Sequence, residues 1–154
     1  MKKFRVGIDL QSLLPQKTGY GSYVSCLLPE LQKYDDIEWK LIRRVHKELS
    51  TPQRIFWDQA GLPLRALIDR DRLLFVPAFS CPMLFPRRVV FTLHDIIGKL
   101  FSENFSSSAK LYWKHLLPLS ARRATHILTI SENTKRDIIR ELGIPENKIT
   151  VTYL

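Results

Sequence analysis

Two periodicities of apolar residues alternate along the chain and predict an alternation of strands and helices. Short apolar runs are typical of buried strands, and apolar positions spaced three and four apart are typical of helices. Strands are predicted over residues 4–10, 38–43, 72–77, 87–93, 126–130 and 149–153. Helices are predicted after Thr18, over residues 52–68 and 106–123, and from a cap at Ser131 to about Leu142. The predicted fold class is α/β: an open, mostly parallel sheet with helices on both faces.

Local sequence signals indicate where the helices begin, where they bend and which of their sides faces the core. Thr18 offers a hydroxyl N-cap to the first helix, and Pro29 predicts a kink or an early end, because proline lacks the amide hydrogen that the helix needs. Pro118 predicts a bend in the last turns of helix 106–123. That basic and aromatic helix could lie against a membrane, but a core-facing stripe with a solvated basic face is the expected arrangement. In helix 52–68 the buried side is expected to contain Ile55, Phe56, Trp57, Ala60 and Leu67.

The fourth predicted strand ends in an imidazole beside a carboxylate, His94 and Asp95. Open parallel sheets bind ligands outside the carboxyl ends of their strands, so both residues would lie where a substrate binds. His94 could act as donor, acceptor or cation near neutral pH, and Asp95 could orient it or hold a substrate hydroxyl. Because adjacent strand residues point in opposite directions, we expect separate roles rather than a direct pair. The alternative is an Asp that begins a loop and a His that caps it.

Two further segments are predicted at the same edge of the sheet. Residues 18–21, Thr-Gly-Tyr-Gly, follow the first strand, where glycines admit a ligand close to the backbone and helix amides attract phosphate. This makes Gly19, Tyr20 and Gly21 candidates for substrate binding. The segment falls short of the G-x-G-x-x-G dinucleotide motif, and a glycine pair that permits close helix packing explains it equally well. Ser131 is expected first as a helix N-cap and second as a ligand contact.

Composition narrows the classes of protein to which this chain can belong. The 154 residues, 45% of them apolar, suit one compact domain. A net charge of +9 implies attraction to polyanions such as nucleotide phosphates, nucleic acid or anionic lipid headgroups. Cys26 and Cys81 are far apart in sequence, so reduced, packed thiols are expected rather than a disulfide framework or a zinc ribbon. The sequence contains no signal-peptide or membrane-span pattern, which predicts a cytoplasmic protein with peripheral contact at the inner face of the membrane as a further option.

Five sequence blocks, in order, resemble the amino-terminal domain of family 4 retaining glycosyltransferases. They are T-G-Y-G-S-Y-V at 18–24, F-W-D-Q-A-G-L-P at 56–63, L-L-F-V-P at 73–77, V-V-F-T-L-H-D-I at 89–96 and I-L-T-I-S-E-N-T-K-R-D-I at 127–138. In that family two Rossmann-like domains face each other across a cleft, the GT-B fold. The first domain shapes the acceptor side, and the second holds the nucleotide sugar. The resemblance implies that residues 1–154 form the first domain and that a carboxy-terminal donor domain, in cis or as a separate chain, completes the enzyme.

The resemblance also implies a reaction and roles for the candidate residues. A sugar of the hexosyl type would pass from a nucleotide-diphosphate donor to a glycan, polysaccharide or lipid-linked acceptor, with retention of configuration. The loop from Gly19 to Gly21 would approach the donor diphosphate, and His94 would be catalytic, contacting sugar or acceptor near the reacting carbon. Ser131 and the helix that it begins would line the same cleft. Such enzymes need no metal ion or other cofactor, because helix N-termini and basic side chains stabilise the leaving diphosphate.

Two departures from the family pattern matter. Thr125 follows Ala124, where the family often has aspartate, so no contact by that carboxylate is expected. The basic pair and the two-glutamate motif of the donor domain are not among these residues, so the isolated domain is expected to be inactive. The alternative hypothesis is a non-catalytic, basic Rossmann-like module that binds nucleic acid or a partner subunit. Its support is the net charge, but the basic residues are scattered and no nucleic-acid motif accompanies them, so nucleic acid is not the expected partner.

Overall fold

One parallel sheet organises the part of the chain that the computed structural model describes, which is residues 3–15, 18–78, 81–101 and 105–153. Within these residues the strands are β1 (Phe4–Asp9), β2 (Ile37–Ile42), β3 (Leu73–Val76), β4 (Arg88–Thr92), β5 (His126–Thr129) and β6 (Ile149–Val151). They lie in the order β2-β1-β3-β4-β5-β6, and every neighbouring pair is parallel. The predicted parallel α/β sheet is confirmed.

Helices connect the strands. They are α1 (Gly19–Leu31), α2 (Thr51–Phe56), α3 (Leu62–Ile68), α4 (Ile97–Leu100), α5 (Ser107–Leu111), α6 (Leu117–Arg123) and α7 (Glu132–Leu142), with a 3-10 turn at Glu146–Lys148. The sequence did not predict α4. Two π-helical turns, Trp57–Gly61 and Tyr112–Leu116, join α2 to α3 and α5 to α6, so both long predicted helices are continuous. Among the helices of the described residues, none combines the length and apolar character that a bilayer crossing requires.

Each π-helical turn immediately precedes a Leu-Pro step. The amide of Leu62 bonds to the carbonyl of Trp57, five residues back. Pro63 and Pro118 lack an amide hydrogen and cannot donate the next backbone hydrogen bond of the helix. A widened turn before each proline accommodates the loss of that bond. At Pro118, where the sequence predicts a bend, the structure has this wide turn.

Two cores lie on opposite faces of the sheet. Leu74 and Val76 belong to the larger core, with residues of α3, α6 and α7, whereas Phe75 belongs to the core against α1. This division follows from the alternation of side chains along a strand. Helices therefore cover both faces, as predicted. Helix 107–123 buries Tyr112 and Ala121 and exposes Lys114 and Arg122, which is the core-facing arrangement that the sequence favours.

The ends of the elements lie close to the predicted ones. Helix α1 continues past Pro29 to Leu31, the last apolar position of its predicted stripe, so the early end expected at this proline does not occur. Thr18 and Ser131 cap α1 and α7, as predicted. Strand β6 ends at Val151 rather than at residue 153, because its pairing with β5 ends there. The expectation of two packed thiols holds for Cys81, which is buried, but is wrong for Cys26, which is exposed; both are free.

The buried side of α2 and α3 differs from the predicted one. Phe56 is 64% exposed and Ala60 is also exposed, whereas Arg54 and Asp58 are buried. These two charged residues lie at i and i+4 and form an ion pair, so they can be buried together. Trp57 is buried, and Ile55 and Leu67 pack partly buried against the core, as predicted. The hydrophobic pattern was therefore wrong for Phe56 and Ala60 and missed the buried charges.

Candidate functional site

A cleft of about 590 Å³ lies at the carboxyl ends of the strands. Its walls come from the β1–α1 loop, the β2–α2 loop and the ends of β4 and β5. The residues that line it are Gln11, Ser12, Leu14, Thr18, Gly19, Tyr20, Glu48, Leu49, Thr51, Arg54, His94, Asp95 and Ile130. The strand order reverses at β1, which has β2 on one side and β3 on the other. Open α/β sheets bind ligands at such a switch point.

The structure brings most of the candidate residues to this cleft. Gly19, Tyr20, His94 and Asp95 line it. Gly21 is buried beside it, where an added Cβ would lie 3.0 Å from the carbonyl oxygen of Ser12. The close-packing explanation therefore applies to the second glycine of the loop. Around Gly19 an added Cβ would meet nothing within 4 Å.

Ser131 follows the lining residue Ile130 and is used first as a helix cap. Its Oγ accepts a hydrogen bond from the amide of Thr134 at 3.1 Å and lies 2.9 Å from that residue's Oγ1. The same Thr134 hydroxyl donates to the carbonyl oxygen of His94 at 3.2 Å. The start of α7 thereby fixes the backbone at the end of β4.

His94 is held in one orientation at the edge of the cleft. Its Nε2 lies 3.0 Å from the carbonyl oxygen of Pro77, and the rings of Tyr20 and Tyr23 meet the imidazole edge-on with centroids 4.8 and 4.7 Å away. A carbonyl can only accept, so Nε2 bears the hydrogen and the neutral ring keeps Nδ1 as an acceptor. Burial lowers the pKa of His94, although the bond to Pro77 and the charge of Asp95 oppose this. The lowered pKa favours the neutral form of the imidazole.

Asp95 and His94 have different hydrogen-bond partners. Oδ1 of Asp95 accepts from the amide of Ile97 at 3.0 Å, at the start of α4. The carboxylate also influences Tyr20: burial and then the charge of Asp95 raise the pKa of that phenol. Asp95 thus organises the turn after β4 and adds negative charge to the cleft.

Sequence reasoning missed a buried ionic cluster beneath the cleft. Asp9, the last residue of β1, accepts from Arg54 Nη2 at 2.6 Å and from Trp57 Nε1 at 3.1 Å. Nε of Arg54 lies 2.8 Å from Oδ1 of Asp58. Burial lowers the pKa of Arg54, but the two carboxylates outweigh it and the guanidinium pKa lies above its ordinary value. The available sequence signal for this cluster was Asp9, a carboxylate at the end of the first apolar run. His94 and Asp95 were predicted from the same kind of signal, polar residues at the end of an apolar run.

Gln11 fixes a second wall of the cleft to the end of β1. Its Nε2 donates to the carbonyl oxygens of Val45 and Lys47, both at 3.0 Å. Its Oε1 accepts from the amides of Arg44 and Val45 at 3.1 and 3.2 Å. Four hydrogen bonds from one side chain hold the β2–α2 loop in place.

Hydroxyls and carboxylates dominate the polar lining. Ser12, Thr18 and Thr51 contribute hydroxyl groups, and Glu48 adds a second carboxylate to that of Asp95. Oγ of Ser12 is buried and has no hydrogen-bond partner within the described residues. Arg54 is the one cation that lines the cleft in the described part of the chain, and two carboxylates hold it. In the same part of the chain, no group of three or more His, Cys, Asp or Glu could hold a metal ion. This lining suits hydroxyl groups of a neutral ligand.

An open parallel sheet with a polar cleft at its switch point defines a Rossmann-like ligand-binding domain. Residues 39–154 match the family described as Glycosyltransferase Family 4. The chain belongs to this family. The O-antigen chain mannosyltransferase RfbU of Salmonella typhimurium (strain LT2) is 32% identical over 94 residues, which are 60% of this chain and 26% of that protein. The chain therefore spans about a quarter of that relative's length in the matched region.

A solved structure shows the same fold. The UDP-GlcNAc 2-epimerase from Methanocaldococcus jannaschii superposes with a TM-score of 0.60 at 15% identity, over 97% of this chain and 45% of the epimerase. This similarity confirms the predicted fold class, a Rossmann-like sheet that corresponds to one half of a GT-B fold.

Proposed function

We propose that this chain is the acceptor-side domain of an enzyme that transfers a sugar from a nucleotide-diphosphate sugar to an acceptor, with retention of configuration. Family membership and the cleft at the strand ends support this function. The observation on which it depends is the buried His94, fixed by Pro77 beside Tyr20 and Tyr23. The O-antigen chain mannosyltransferase relative supports a hexose as the transferred sugar and a glycan as the acceptor. The proposed acceptor is a polysaccharide or a lipid-linked glycan.

In this proposal His94 contacts the reacting sugar without changing its charge. Nε2 is engaged by Pro77, which leaves Nδ1 to accept a hydrogen bond from a sugar hydroxyl. The edge-on tyrosine rings prevent the imidazole from rotating away from that position. A preorganised acceptor of this kind favours the transition state because no reorganisation is needed when charge develops.

The leaving diphosphate would be stabilised at the start of α1. Thr18 caps this helix by accepting from the amide of Gly21, and Gly19 begins the helix at the positive end of its dipole. The open space around Gly19 lets a phosphate approach the backbone. Metal ions and other cofactors have no part in this scheme, since backbone amides and cations of the donor domain would neutralise the diphosphate.

The acceptor would bind through its hydroxyl groups. Glu48 and Asp95 are carboxylates that accept hydrogen bonds from hydroxyls, and Ser12 supplies a hydroxyl with no partner among the described residues. The nucleotide would be held by a carboxy-terminal donor domain, in cis or as a separate chain, so we propose that residues 1–154 alone are inactive. The proposed location is cytoplasmic, at the inner face of the membrane.

The test uses the protein together with its donor domain. His94→Ala should lower kcat at least about 100-fold, in the range of a lost catalytic group, while the nucleotide-sugar Kd stays the same. The matched control is His126→Ala, because His126 is the first residue of β5 and lies at the opposite edge of the sheet. Unchanged turnover in His94→Ala would remove this residue from the mechanism.

A second measurement tests whether the nucleotide sugar binds to the donor domain rather than to residues 1–154. Calorimetry of residues 1–154 with nucleotide sugars should show weak or undetectable binding. Binding as tight as that of the whole enzyme would mean that the donor site lies on this domain.

A further inference from the structure

A second groove, of about 480 Å³, lies between the carboxyl end of β2 and α3. We refer to it as the β2–α3 groove. Its rim exposes three large apolar side chains: Leu41 is 51% exposed, Leu64 is 60% exposed and Ile68 is 66% exposed. Strand β2 is at the edge of the sheet within the described residues, so no further strand there covers this side.

The charges in the β2–α3 groove are all positive. Arg43, Arg44 and Arg65 line it, and no carboxylate does so among the residues that the structure describes. Arg43 bonds to the carbonyl oxygen of Leu10 and to Nδ1 of His46, and within the described residues no carboxylate forms an ion pair with it. Arg65 is 61% exposed and has a single carboxylate beside it, that of Asp69 at 2.8 Å.

We propose that the β2–α3 groove binds the surface of an anionic lipid bilayer. Exposed apolar side chains can enter the boundary between headgroups and acyl chains, and arginines beside them bind lipid phosphates. A specific protein interface of standard size covers about 800 Å² on each partner and has few charged residues at its core. Three arginines interleaved with three aliphatic side chains match the lipid surface better.

The groove and the cleft lie on either side of one helical segment. Arg54 lines the cleft and Trp57 lines the groove, and both donate to the carboxylate of Asp9. A bilayer at the groove would therefore place its headgroups one helix away from the cleft. On the proposed function, this position supports a lipid-linked acceptor. Binding to the bilayer itself does not depend on that function.

The experiment is co-sedimentation with vesicles of phosphatidylcholine, with and without phosphatidylglycerol. The wild-type chain should sediment with the anionic vesicles, and binding should decrease as salt is added. Arg44→Gln and Arg65→Gln should each lower the partition coefficient about fivefold. The double variant Leu64→Ser, Ile68→Ser should lower it about tenfold or more.

Leu84→Ser is the matched control. Leu84 is 81% exposed and lies outside the groove, so its partition coefficient should equal that of the wild type. All of the substituted residues are exposed, and unchanged thermal midpoints should show that every variant folds.

Three results would overturn the proposal. They are equal binding to vesicles with and without phosphatidylglycerol, no binding to either, and a groove variant that binds like the wild type. A concentration-dependent dimer in ultracentrifugation that Leu64→Ser, Ile68→Ser abolishes would assign the groove to self-association instead. Sugar transfer to a short, lipid-free acceptor should be unchanged in the groove variants. Failure of the bilayer proposal can therefore be distinguished from failure of the proposed function.

Discussion

Nε2 of His94 lies 3.0 Å from the carbonyl oxygen of Pro77, and this bond joins the end of β4 to the residue that follows β3. It fixes both the orientation of the imidazole and the nitrogen that bears its hydrogen. Because the ring is also buried against Tyr20 and Tyr23, the protonated form is disfavoured and the pKa lies below its ordinary value. Burial and the bond to Pro77 together place a hydrogen-bond acceptor, Nδ1 of His94, at the edge of the sheet.

Activity should therefore persist to a lower pH than an exposed histidine would allow. We expect kcat/KM of the whole enzyme to be flat from pH 8 to about 6.5, the ordinary value, and to fall only below it as His94 is protonated. The pH profile of transfer measures this. A decrease that begins near pH 7.5 would contradict the lowered pKa.

The lowered pKa of His94 also makes the stability of the fold depend on pH. The unfolded chain binds the proton of His94 more tightly than the folded chain, so the contribution of this residue is present above pH 6.5 and is lost as the pH falls through the lower folded pKa. Urea unfolding of the wild type and His94→Gln at pH 7.5 and 5 should give a smaller acid-induced loss in the variant. Equal losses would exclude His94 as the source.

Arg54 should be essential for folding, whereas a second arginine with the same spacing should not. Arg54→Ala leaves Asp9 and Asp58 buried without their cation, and we expect the free energy of unfolding to fall by about 3 to 5 kcal/mol. Arg65→Ala removes an exposed i,i+4 pair with Asp69 and should cost less than about 1 kcal/mol. Urea denaturation of both variants measures the difference. Similar losses would mean that the cluster beneath the cleft is not a structural unit.

The two glycines in the first turn of α1 should respond oppositely to alanine. Gly21→Ala forces a Cβ to 3.0 Å from Ser12 and 3.2 Å from Thr18, and we expect a loss of about 1 to 3 kcal/mol. Gly19→Ala meets nothing within 4 Å and should gain up to about 1 kcal/mol, because alanine favours the helix. If Gly19 admits the diphosphate, Gly19→Ala should still reduce transfer. A stable and fully active Gly19→Ala variant would argue against that contact.

Asp71 should destabilise the protein at neutral pH. Its side chain is buried, neither carboxyl oxygen has a hydrogen-bond partner within the described residues, and Oδ2 lies 2.5 Å from where a Cβ on Gly7 would be. Burial and the charge of Asp69 raise its pKa to about 6, although Arg5 lowers it. The folded state thus favours the protonated acid, and stability should decrease as the pH rises from about 4 to 6.

Asp71→Asn tests this expectation. The amide has the same shape and no charge, so the variant should be about 1 to 3 kcal/mol more stable than the wild type at pH 8 and similar to it at pH 4. Asp35→Asn is the control, since Asp35 is exposed and is not among the charges that shift the pKa of Asp71. A variant less stable than the wild type at pH 8 would show that the ionised Asp71 has a stabilising partner.

The sequence by itself determined the order of the strands and of every helix except α4, and much of the cleft. Apolar periodicity and helix caps such as Thr18 and Ser131 are local properties, and local sequence is enough to define them. The rule that parallel strands align their carboxyl ends is then enough to place Gly19 and His94 at one edge of the sheet.

The tertiary structure alone decided which polar groups are buried and which apolar groups are exposed. Arg54 is buried because the fold brings it to Asp9, 45 residues away, and Phe56 is exposed because the charged pair occupies the buried side of its helix. Likewise Pro77, 17 residues before His94, fixes the imidazole. Burial of a charge depends on a partner that is distant in sequence, and no local pattern contains that information.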